Sequence, residues 1–76
     1  MDKLVEGFDT IMGSDIQRDG MSLELIEAET GDEVAEVFYS DETRKMQISI
    51  YKQDLPLEVI ECFITRAKND LPEKKK

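Results

Sequence analysis

Two kinds of apolar periodicity divide the chain. In the middle the period is two: Met21, Leu23 and Leu25 alternate with Ser22, Glu24 and Ile26, and Met46, Ile48 and Ile50 alternate with Gln47, Ser49 and Tyr51. The stretch between them, "EVAEVFYS" at 33–40, is rich in β-branched and aromatic residues. Successive side chains of a strand point to opposite faces, so these stretches predict three half-buried strands. The intervening segments, "ETGD" at 29–32 and "SDET" at 40–43, have turn composition. Short connections keep consecutive strands adjacent, which predicts an antiparallel meander.

The flanks follow a helical period instead. Leu4, Val5, Phe8, Ile11 and Met12 fall on one narrow stripe, with Asp2, Glu6, Asp9 and Thr10 around it, which predicts a helix over 2–12 ended by Gly13. Gly7 inside that stripe costs about 1 kcal/mol relative to alanine. Toward the other end, Leu57, Val59, Ile60, Phe63, Ile64, Ala67 and Leu71 share one face of a second helix. Pro56 suits its first turn, and Leu71 before Pro72 ends it. The fold expected from these elements is a small two-layer α+β domain of order α-β-β-β-α, its three-stranded antiparallel meander packed on the C-terminal helix. A turn at Asp19-Gly20 would add a fourth, short strand at 15–18. One domain is expected over 1–72, followed by a solvated basic tail at 73–76, "EKKK".

One feature of this plan bears on function. If Met21, Leu23, Leu25, Ala35, Val37, Tyr39, Met46, Ile48 and Ile50 face the C-terminal helix, the opposite sheet face still carries Ile26, Val34, Phe38 and Tyr51. A solvated face is normally more polar than that. The expected cover is the N-terminal helix, a second copy of the chain, or another partner. Glu24 and Glu36 are expected near each other on this face, where proximity would raise one carboxyl pKa. The candidate interaction surface is therefore Ile26, Val34, Phe38, Tyr51, Glu24 and Glu36.

Length and composition narrow the chemistry. A chain of 76 residues forms one domain with a thin core, burying only about 60% of its unfolded surface. One cysteine and no histidine rule out an intrachain disulfide, the usual zinc clusters, and the Cys-His and Ser-His-Asp catalytic arrangements. The net charge is −8 and unevenly spread: residues 1–43 hold 13 acids against Lys3 and Arg18, whereas residues 44–76 hold 5 acids against 8 bases. Such a balance disfavours nucleic acid and anionic membranes and favours a basic partner. The opening "MDKLVEGFDT" has no apolar leader core, and no apolar run approaches the roughly 18 residues of a membrane span. Together with the single thiol, these features lead us to expect a cytoplasmic protein.

Two stretches invite a chemical reading. "DIQRDGMSLELIE" at 15–27 resembles a calcium loop, with Asp15, Asp19 and Gly20 at positions 1, 5 and 6 of an EF-hand. Position 12 is Ile26, where a bidentate carboxylate is needed, so a turn feeding the sheet is expected and calcium is not. Cys62 is the one nucleophile of note, expected partly exposed, with Arg66 favouring its thiolate and Glu58 opposing it. With no base nearby it reads as a bystander. Gly7, Gly13, Gly20 and Gly31 are scattered singly and make no phosphate loop. No metal and no cofactor is expected. The functional expectation is a non-catalytic protein–protein interaction module acting as a homodimer. The alternatives are an inhibitor, immunity protein, antitoxin or nucleic-acid mimic docking a basic partner, and a minor enzyme subunit using Cys62 or a carboxylate.

Overall fold

The computed structural model describes residues 2–71. The basic tail expected at 73–76 lies outside them. Five strands precede one helix: β1 (Asp2–Val5), β2 (Phe8–Asp15), β3 (Gly20–Glu27), β4 (Asp32–Ser40), β5 (Met46–Ile50) and α1 (Leu57–Asp70). All neighbours pair antiparallel in the order β1-β2-β3-β4-β5, so the expected meander is present, with five strands in place of three or four.

The largest correction is at the N-terminus, where the expected helix over 2–12 is a β-hairpin. Val5 faces Phe8 across a turn at Glu6-Gly7, and Gly7 has φ of +86°, a backbone that glycine adopts without penalty and a helix forbids. The strand β2 then pairs along its whole length with β3, from Phe8 opposite Glu27 to Asp15 opposite Gly20. Leu4, Val5 and Phe8 pack onto the helix-side core from this hairpin. They extend the core sideways, so the N-terminal helix, one of the three covers expected for the opposite face, is not there.

The turn expected at Asp19-Gly20 is a four-residue loop, Ile16 to Asp19, closing β2 on β3. Asp19 takes the left-handed backbone (φ 54°), and Gly20 is the first, buried residue of β3. The expected strand at 15–18 is thus mostly loop, and its role belongs to β2.

The core lies between the sheet and α1. Leu23, Leu25, Val34, Ala35 and Val37 from the sheet meet Val59, Phe63, Ala67 and Leu71, all buried. Helix α1 begins after Pro56, whose carbonyl accepts from the N–H groups of Val59 and Ile60 at 3.1 and 3.2 Å. Glu58 in the first turn and Lys68 in the last complement the helix dipole. Leu71 leaves the helix in extended backbone, as a residue before proline does, and its N–H closes on Ala67 O at 2.8 Å.

A bulge in β4 changes one assignment. Leu25 faces Ala35, but Ile26 faces Glu33, so Val34 is an extra residue in its strand. The bulge turns Val34 toward α1, where it is 2% exposed in the core, and away from the opposite face on which it was expected. A slip of one residue is enough to exchange faces.

Candidate functional site

The sheet face away from α1 brings together several expected site residues. Glu24 of β3 lies directly opposite Glu36 of β4, as their alternation required. The bulge brings Glu33 beside them, and oxygen atoms of Glu24, Glu33 and Glu36 lie within 4.8 Å of one another. Like charges this close destabilise a strand pair. The counter-charge is Arg18 from the β2–β3 loop, which donates to Glu36 Oε2 at 2.9 Å and also pairs with Asp15. Its guanidinium lies over the Phe38 ring, 4.2 Å from the centroid, so one side chain serves two carboxylates and shields an aromatic face. Tyr51 reaches the same group, its hydroxyl donating to Glu36 Oε1 at 3.5 Å.

The titration of the cluster follows from this arrangement. Reduced hydration, then the charges of Glu24 and Glu36, raise the Glu33 carboxyl above its ordinary value of 4.5. Reduced hydration, followed by Glu36 and Glu33, raises Tyr51. Hydrogen bonding from Arg18 lowers Asp15, and bonding to Glu36 and then Asp15 raises Arg18. Folded Glu33 holds its proton more tightly than the unfolded chain does. Its contribution to stability is therefore lost as pH rises from 4.5 through the raised value. Glu33→Gln removes that penalty. The variant is expected to be more stable than the parent at pH 7, by under about 1 kcal/mol because the group is exposed. The gain should vanish near pH 4; equal gains at both values in urea titrations would contradict this origin.

The other expected residues separate. Ile26 and Phe38 are on this face but buried, at 7% and 8%, so neither offers an open apolar contact. Tyr51 is exposed, and Val34 has moved to the core. The residues of the calcium-like stretch also part company. The Asp15 carboxylate accepts the Arg18 N–H at 3.1 Å and shapes the loop, while Ile26 is inside β3. Cys62 is exposed as expected, in a shallow depression with Leu4, Glu61, Thr65, Arg66 and Asn69. Arg66 donates to Thr10 Oγ1 at 3.2 Å, which ties its guanidinium to β2.

Sequence reasoning missed a second surface, on the helix side. Met46, Ile48 and Ile50 were expected under the helix, yet they are 37%, 44% and 53% exposed. The reason is width. Five strands span about 19 Å between outer axes, whereas one helix is about 10 Å across. The flank of α1 bearing Cys62 and Arg66 leans over β1 and β2, so its other flank, with Leu57, Ile60 and Ile64, lies toward β5. Leu57 and Ile64 are exposed as well. The result is an apolar strip running from α1 to the sheet edge.

The two sheet edges differ in protection. Natural edge strands are blunted by shortness, charge, proline or bulges. The edge strand β1 has four residues, carries Asp2 and Lys3, and has a bulge between Lys3 and Val5. The opposite edge, β5, is "MQISI", with no charge, no proline and an unbroken register. Comparison with family models, curated proteins and solved structures finds no match to this chain. Among the described residues, no helix is long and apolar enough to cross a membrane.

Proposed function

We propose that this chain is a non-catalytic protein–protein interaction module whose acting unit is a homodimer. The observation that carries the reading is β5, an uncharged edge strand with three half-exposed apolar side chains on one face. Left open to solvent, such a strand templates pairing with other chains and invites aggregation, so an occupant is the physical expectation. Charge favours a copy of the same chain. The molecule as a whole carries −8, but in residues 41–54 Asp41, Glu42 and Asp54 are offset by Arg44, Lys45 and Lys52. Two copies can approach along this edge without the repulsion that their acidic halves impose. The absence of histidine from the sequence supports a contact role over acid–base or nucleophilic catalysis. A reducing compartment such as the cytoplasm suits its single thiol.

Sedimentation equilibrium across a range of protein concentrations tests this. A mass of twice 8.7 kDa at high concentration is expected, falling on dilution. Ile48→Lys should leave the circular dichroism spectrum intact, since the side chain is half-exposed, and should yield a monomer. A monomeric parent at millimolar concentration overturns the reading. So does a complex with a basic protein that dissolves steeply with salt, which would favour the acidic face around Glu24, Glu33 and Glu36.

A further inference from the structure

The backbone of β5 narrows the contact to one geometry. Tyr51 N–H donates to Val34 O at 2.9 Å, and Lys45 O accepts from Ser40 N–H at 3.0 Å, so both residues turn their backbone groups toward β4. Alternate residues of a strand direct their N–H and C=O to the same side. Gln47 and Ser49 therefore also bond to β4, and Met46, Ile48 and Ile50 direct three N–H and three C=O groups away from it. These are the same three residues whose side chains are exposed on the helix side. Unpaired backbone and uncovered apolar surface coincide.

We propose that β5 pairs antiparallel with β5 of a second copy about a two-fold axis at Ile48, joining two five-stranded sheets into one of ten strands. This rests on the homodimer reading and specifies its interface. In that register Ile48 faces Ile48 of the second copy, and Met46 faces its Ile50. Every outward N–H finds an outward C=O, giving six hydrogen bonds across the axis. On the helix side the ladder sets apolar against apolar at each position; on the other it sets Gln47 against Ser49. Moving the axis by one residue breaks this match. An axis at Gln47 puts Ile50 opposite Arg44, and an axis at Ser49 puts Met46 opposite Lys52. With the axis at Ile48, Arg44 meets Lys52 only at the ladder's end, where Glu27 holds Lys52 at 2.8 Å and offsets its charge. The apolar strips of the two copies then adjoin, flanked by Leu57 and Ile64 of each helix.

Engineered cysteines read the axis directly. In a Cys62→Ser background, Gln47→Cys and Ser49→Cys proteins are prepared separately, mixed, and oxidised with a glutathione couple. Residues 47 and 49 of opposite copies form a non-hydrogen-bonded pair about 4.5 Å apart at Cα, within reach of a disulfide. The mixture should give at least ten times more disulfide dimer than either protein alone. Self-linking of Gln47→Cys or of Ser49→Cys would place the axis elsewhere and overturn the register. Dimeric mass without any crosslink would overturn the β5 contact while leaving the homodimer standing; monomeric mass would overturn both. Amide exchange gives a second readout, independent of the variants. The N–H groups of Met46, Ile48 and Ile50 should exchange at least tenfold more slowly as protein concentration rises, and rates independent of concentration would reject the pairing.

Discussion

Replacing Phe63 by alanine should leave the protein mostly unfolded at 25 °C. Phe63 is fully buried and is among the largest of the fully buried side chains. It sits midway along α1 between Val59 and Ala67, the other buried residues of the helix, in one core cluster with Leu23, Leu25 and Val37 of the sheet. Removing a buried phenylalanine ring costs roughly 3–5 kcal/mol. A domain below about 80 residues draws only roughly 3–5 kcal/mol of stability from its single core. The two quantities are equal in size, so the variant should lose its cooperative urea transition and its near-ultraviolet dichroism. Phe63→Leu, which refills most of the space, should keep a cooperative transition at lower denaturant. A Phe63→Ala protein melting within a few degrees of the parent would mean that α1 is not what holds the sheet.

Gly20→Ala is the second large effect, and its cause is different. The position has an ordinary negative-φ strand backbone, so conformational freedom is not what requires glycine there. Space is. A methyl group on Gly20 would fall onto the backbone oxygen of Tyr39 and lie 2.7 Å from the Phe38 ring. Overpacking a filled site typically costs about 1–3 kcal/mol, and contact with a backbone oxygen inside a paired sheet puts this case at the upper end. The melting temperature should fall by roughly 12–20 °C for a domain of this size. A second substitution separates the two contacts: Phe38→Ala in the Gly20→Ala background relieves the ring but not the carbonyl, so it should not restore stability. Recovery in the double variant would show that the ring alone made the demand.

The parts of the fold that were legible in the sequence share a physical basis. The helix from Leu57 to Asp70 and the strands β3 and β5 each have one periodicity, and β4 between them has β-branched and aromatic composition with clear punctuation on both sides. The N-terminal hairpin was illegible because Leu4, Val5, Phe8, Ile11 and Met12 satisfy a helical stripe, although as strand residues they divide between β1 and β2. Pairing of β2 with all of β3 decides the matter, and that is a tertiary interaction no local pattern carries. Glu24 and Glu36 could be placed together because alternation fixes faces. Arg18 and Glu33 could not, since one depends on a four-residue loop and the other on the bulge at Val34. The exposure of Met46, Ile48 and Ile50 is a third kind of information. It depends on how many strands share one helix, and counting three strands where there are five hides it.

The position of α1 in chain order has a consequence for the protein's synthesis. All five strands are made before the helix, and each pairs with its immediate predecessor, so the sheet can zip up progressively as the chain emerges. Val59, Phe63, Ala67 and Leu71, the helix-side half of the core, arrive only afterwards. Until then Leu23, Leu25, Val34 and Val37 have only the sheet's own side chains, such as Leu4, Val5 and Phe8, beside them and no layer above. A growing chain therefore passes through a stage in which its apolar sheet face is open, when it is most exposed to aggregation and most in need of a chaperone. A chain interrupted before Phe63 has its strands but lacks Phe63, Ala67 and Leu71, most of the layer that closes the core.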